Sequence, residues 1–139
     1  MKPLTKNNEF VPCIIEDGDE LYSNGIFTFN ITKMIKYIEN NRAIIDSETI
    51  HVDEYRNKSF SNINEDHLDS VDINKLIILI EINPGIYNVI DGHHRLEKFF
   101  RNSEKTIDSY KLNVFQHLQF LTTEKAYNAF IDYWNDKIN

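Results

Sequence analysis

Leu76-Ile77-Ile78-Leu79-Ile80-Glu81-Ile82, Asn83-Pro84-Gly85, Ile86-Tyr87-Asn88-Val89-Ile90 and Asp91-Gly92-His93-His94-Arg95-Leu96-Glu97 follow one another without a gap, and their reading decides the fold. The first run is apolar enough and long enough for a buried strand. Pro84 presets its own φ and Gly85 accepts a positive one, so Asn83-Pro84-Gly85 supplies a turn. Residues 86–90 then return as the second strand of a hairpin. After Gly92 the period changes: Leu96, Phe99 and Phe100 fall at i, i+3 and i+4, which is a helical stripe. The order is strand, turn, strand, Asp-Gly, helix, with His93, His94 and Arg95 in the first helical turn.

That placement runs against local electrostatics. A helix N-terminus carries partial positive charge and favours Asp or Glu, yet here it receives an arginine and two histidines. A bound phosphate would satisfy the N–H groups, the dipole and Arg95 together. The alternative is an ordinary N-cap made by Asp91, with the basic side chains facing water. A structural Arg95 is expected to pair with an acid such as Glu54 or Glu81.

Asp91-Gly92-His93-His94-Arg95-Leu96-Glu97-Lys98 after a hydrophobic hairpin resembles the signature of the ParB/sulfiredoxin superfamily. The likeness covers about residues 48–120 and is closest to the Asp-Gly-x-His-Arg form of the free serine kinases. It implies a turn and helix that cradle nucleotide phosphates, with Gly92, His94 and Arg95 as phosphate contacts. It implies ATP or another nucleotide as ligand, with magnesium, and a small hydroxyl compound as acceptor. Asp91 would orient the hydroxyl or the magnesium ion, and His93 stands where sulfiredoxins carry their catalytic cysteine. Sulfiredoxin chemistry is not expected, because Cys13, the chain's one cysteine, lies far from the motif. A ParB-type DNA-binding protein is not expected either: the motif has one arginine where ParB has two, and no helix-turn-helix segment follows. The serine kinases place a catalytic glutamate after their first core strand; Glu54 and Glu65 are the nearest candidates.

The chain has 139 residues, enough for one domain with a real core. With 15 basic and 22 acidic residues its formal charge is −7, which opposes unspecific binding to DNA or anionic membranes. A hydrophobic content of 41% predicts a folded globule. One cysteine permits no internal disulfide and fits a reducing compartment. No apolar run reaches membrane-spanning length, and residues 1–8 lack the apolar centre of a signal peptide, so a cytoplasmic protein is expected.

In chain order, residues 10–15 read as a strand, residues 16–20 as an acidic turn, and residues 21–29 as a second strand bent at Asn24-Gly25. The acidic turn lacks the spacing of a calcium loop. Asn30 caps a helix whose Ile31, Met34, Ile35 and Ile38 face a core. Residues 49–52 form the first core strand. The segment after it carries Arg56, Lys58 and Ser59, chemically apt for a triphosphate, or simply a solvated loop. Residues 64–74 suggest a short helix. His51, His67 and His117 are assigned no role. Adjacent His93 and His94 point in different directions on a helix and cannot chelate a metal as a pair. Residues 106–120 read as one long strand. Thr122 or Thr123 then caps a last helix with Ala126, Phe130, Trp134 and Ile138 on one face, which docks on the sheet or serves a protein partner.

The expected fold is α+β, a small mixed β-sheet with flanking helices, ParB/sulfiredoxin-like. One domain spans residues 1–139: an extension to about 45, a core of about 46–120 and a C-terminal helix of about 122–138. The first function is a nucleotide-binding domain acting as an ATP-dependent phosphotransferase. The second is a non-catalytic regulatory or partner-binding module.

Overall fold

The apolar hairpin forms where the turn chemistry puts it. In a computed structural model, which describes residues 3–58, 63–68, 70–72 and 75–139, strand β4 (Ile77–Asn83) turns at Pro84 and Gly85 into β5 (Ile86–Asp91). Ile77, Ile78, Leu79 and Ile80 are all buried, so β4 is covered on both faces. That burial explains a continuous apolar run where a half-solvated strand would alternate.

The fold is mixed α+β, and the chain divides into two compact units. The first comprises Ile45–Glu81 and Tyr87–Leu112. Its sheet adds β3 (Asp46–His51) and β6 (Thr106–Leu112) in the order β3-β6-β4-β5. β6 runs antiparallel to β3, from Asp46↔Lys111 to His51↔Thr106, and parallel to β4, from Ile77↔Ser109 to Ile80↔Leu112. Helices α2 (Val52–Lys58), α3 (Glu65–Leu68) and α4 (His93–Arg101) complete the unit. Ile50, Val52, Ile77, Leu79, Val89, Leu96 and Ile107 make one core cluster, with Tyr55, Tyr87 and Phe99 packed against it.

The second unit comprises Met1–Ile44, Ile82–Ile86 and Asn113–Asn139. Strands β1 (Leu21–Asn24) and β2 (Phe27–Asn30) pair antiparallel. The Asn30 side chain then accepts a hydrogen bond from the Lys33 N–H and starts α1 (Ile31–Asn40), as its cap chemistry predicts. Thr123 caps α6 (Glu124–Ile138) in the same way, through Ala126 N–H. Ala126, Phe130 and Trp134 are buried together with Tyr127 and Ile131, so the helix's apolar face serves the unit's own core. Phe130 meets Phe27 at 5.4 Å and His117 at 5.3 Å between ring centroids.

Four local expectations are corrected. Residues 10–15 form no strand: Pro12 has no N–H to give, and the Cys13 N–H donates to the Leu121 carbonyl outside any ladder. The segment after β3 is helix α2, not loop; Asp53 and Glu54 in its first turn complement the dipole. Of the expected 64–74 helix, α3 spans Glu65–Leu68, and Asp69, Ile73 and Asn74 lie outside the described residues. The long strand of residues 106–120 stops at Leu112. There Asn113 and Gln116 form a reciprocal capping box that starts α5 (Val114–His117), followed by a 3-10 turn, Leu118–Phe120. The apparent alternation through Leu118 and Phe120 is two short helical turns, and His117 is buried in α5.

This correction has a direct test. Asn113→Ala is expected to lose about 1 kcal/mol of stability in urea unfolding, the ordinary cost of a lost cap. Phe115→Ser, at a side chain 78% exposed, should cost under roughly 0.5 kcal/mol. A strand at this position would give the reverse order.

Candidate functional site

Gly92 makes the turn from β5 into α4. Its φ is +96°, a left-handed conformation, and a Cβ placed there would lie 2.6 Å from Ile77 Cγ2. Glycine is thus required twice, by conformation and by close approach to β4. The consequence is that Asp91, expected as the N-cap, is instead the last residue of β5; Gly92 occupies the cap position and has no side chain to cap the helix. His93, His94 and Arg95 form the first turn as expected.

Arg95 does not project freely into solvent. Its Nη1 donates to the Leu76 carbonyl at 3.2 Å, and its Nη2 lies 3.6 Å from Asp91 Oδ2, with both side chains mostly buried. The acid that meets it is therefore Asp91, four residues back, not Glu54 or Glu81. The cost of a cation at a helix N-terminus is offset by this internal acceptor set.

Burial pushes the His93 imidazole down to about 4, with nearby His94 adding to the effect. His93 is neutral at pH 7, and a group so depressed is a weak general base. His94 is also held below the ordinary histidine value, by burial first and by His67 second. Its Nε2 accepts the Asn64 N–H at 3.0 Å, which fixes the ring proton on Nδ1. The His67 ring stands edge-on to it, 4.7 Å between centroids.

One turn further along α4, Glu97 is buried. Arg56 Nε reaches its Oε1 at 3.1 Å and Arg101 Nε its Oε2 at 2.8 Å. Burial raises the Glu97 pKa, but the two guanidinium groups overcome it and hold the carboxyl below its usual value. Arg101 continues to Glu65 with two bonds of 2.5 and 2.8 Å, and Arg56 lies over the Phe100 ring at 4.1 Å. Arg56, read from sequence as a triphosphate contact, thus joins α2 to α4. Lys58 ends α2, and Ser59 lies outside the described residues.

The turn therefore assembles Asp91, Gly92, His93, His94 and Arg95, while Arg56 goes to the Glu97 network. Sequence reading passed over Glu97 and Arg101, and took Asn64 only as a helix cap, where its side chain accepts the Asp66 N–H. The i,i+4 spacing of Glu97 and Arg101 on a helix was a legible signal; the burial of Glu97 and the Asn64 contact, 30 residues from His94, were not. Among the described residues no three His, Cys, Asp or Glu side chains gather as a metal site would need, and no helix is long and apolar enough to cross a membrane. No family model, curated protein or solved structure matches this chain.

Two outcomes are expected. Gly92→Ala should cost about 2–4 kcal/mol, the sum of a left-handed alanine and an overpacked contact with Ile77; unfolding in urea measures it. For His93, the folded state resists the proton that the unfolded chain accepts at its ordinary value of 6.5. The unfolded state binds more protons between pH 6.5 and about 4. Stability is thus fully present above that window and falls as pH drops through it, by roughly 3 kcal/mol. His93→Gln should flatten the slope of melting temperature against pH there.

Proposed function

We propose that the first turn of α4 binds the phosphates of a nucleotide. The observation that carries this reading is a strand-to-helix turn in which a left-handed glycine, which has no side chain to cap with, occupies the cap position. A bound phosphate would supply the oxygen acceptors that Ser, Thr, Asp or Asn supplies at other helices, and it would meet the dipole favourably. The resemblance to the ParB/sulfiredoxin superfamily points the same way, through Gly92, His94 and Arg95. Arg95 would exchange Asp91 for a phosphate, gaining a shorter charge-assisted pair than the present 3.6 Å one.

The finer reading is an ATP-dependent phosphotransferase acting on a small hydroxyl compound. Asp91, released by Arg95, would accept the hydroxyl proton as the acceptor oxygen takes the γ-phosphoryl group and ADP leaves. Such a reaction rests on positioning and charge neutralisation, which a short motif can supply. Magnesium would travel with the nucleotide phosphates, and no residue here is assigned to it. A binding module without turnover is the second reading. It is favoured by the internal engagement of Arg56 and Arg95 and by the neutrality of His93.

Thermal unfolding with ATP, ADP, CTP or GTP, with and without magnesium, tests binding, since a ligand specific for the folded state raises the melting temperature. Arg95→Ala should weaken the effective nucleotide about tenfold to a hundredfold. It should also lower ligand-free stability, because it leaves Asp91 and the Leu76 carbonyl without the guanidinium. A folded Arg95→Ala protein with unchanged affinity would defeat the proposal. Phosphate release or transfer by the wild type separates the enzyme from the binding module.

A further inference from the structure

Beside the Arg101–Glu65 pair, the chain at the start of α3 is bonded to α4 through a histidine ring nitrogen that must carry a lone pair. We propose that His94 is a pH-operated latch: as a neutral ring it fastens the chain entering α3 to the first turn of α4, and on protonation it lets go. The fastening bond runs from the Asn64 N–H to His94 Nε2, at 3.0 Å. It needs a lone pair on Nε2. A proton at that atom sets donor against donor, so the bond is lost, not merely weakened. Asn64 is the hinge of its own short helix start: its side chain accepts the Asp66 N–H and its carbonyl accepts the His67 N–H. A change at Asn64 is thereby passed directly to α3.

The charged groups on the elements around His94 are either paired with one another or exposed. From α3, Glu65 is bound by Arg101, Asp66 is exposed, and His67 faces the His94 ring. From α2, Arg56 is bound to Glu97, and Asp53 and Glu54 are exposed in the first turn. From β6, Asp108 accepts the Thr49 hydroxyl and Lys111 is bound to Glu48. On α4 itself Arg95 faces Asp91, and buried His93 stays neutral to about 4. Burial first, and then the His67 ring 4.7 Å away, disfavour the protonated form of His94, so the latch is closed at neutral pH. The device needs no bound ligand, so it stands or falls separately from nucleotide binding.

Nuclear magnetic resonance of the full labelled chain, titrated from about pH 7.5 to about pH 5, tests it across the range in which histidine changes charge. The Asn64 amide and the His94 ring carbons should shift with one common midpoint, below that of a free histidine. Exchange of the Asn64 amide, corrected for its intrinsic pH dependence, should rise about tenfold, the equivalent of one net hydrogen bond. His94→Gln offers an acceptor oxygen that does not titrate and should abolish the response. His67→Gln should raise the midpoint. An Asn64 amide indifferent to pH, a midpoint different from that of the His94 ring, or a full response in folded His94→Gln would each overturn the latch. Should His94→Gln fail to fold, the wild-type midpoints decide alone.

Discussion

The approach of Gly92 to Ile77 is the constraint on which the first unit depends. A side chain at residue 92 would enter the space of the Ile77 Cγ2 methyl, so the turn can lie flush on β4 only if that residue is glycine. The turn in turn sets the start of α4, and with it the directions of Leu96 into the core and of Glu97 beside it. A strand buried on both faces and a helix that begins hard against it are one packing solution, since close-packed interiors transmit even small volume changes.

Charge is arranged around that helix so that no buried ion stands without its opposite. Glu97 would be costly in its buried position were it not gripped by Arg56 and Arg101, and the same grip joins α2, α4 and, through Glu65, α3. At the other end of α4, Arg95 finds Asp91 and a backbone carbonyl. The two ends differ in kind. The Glu97 network is bonded at short distances, whereas the Arg95–Asp91 pair is long and lies beside a helix start whose cap residue is a glycine.

Local signals were good guides where a single physical cause acts over a few residues. The turn at Pro84-Gly85, the cap at Asn30 and the stripe of α6 were all legible, and each is made by neighbours in sequence. The segment beyond Leu112 misled because its apolar residues alternate, and alternation over a few positions fits a strand as well as two short helical turns. The side chains of Asn113 and Gln116 decide the matter by bonding each other's backbone N–H groups. Pro12 carried a comparable warning against a strand at residues 10–15.

The sequence by itself determined the strand–turn–strand–helix order around residues 76–97 and the unusual basic first turn of α4, because both follow from local backbone chemistry and periodicity. Only the tertiary structure decided that β6 inserts between β3 and β4, that Arg56 meets Glu97 across 41 positions, and that His94 takes the Asn64 N–H. Partners so distant along the chain are chosen by which surfaces the sheet and helices bring together. A side chain that can accept either an internal acid or a bound phosphate carries no sign of that choice in its own identity.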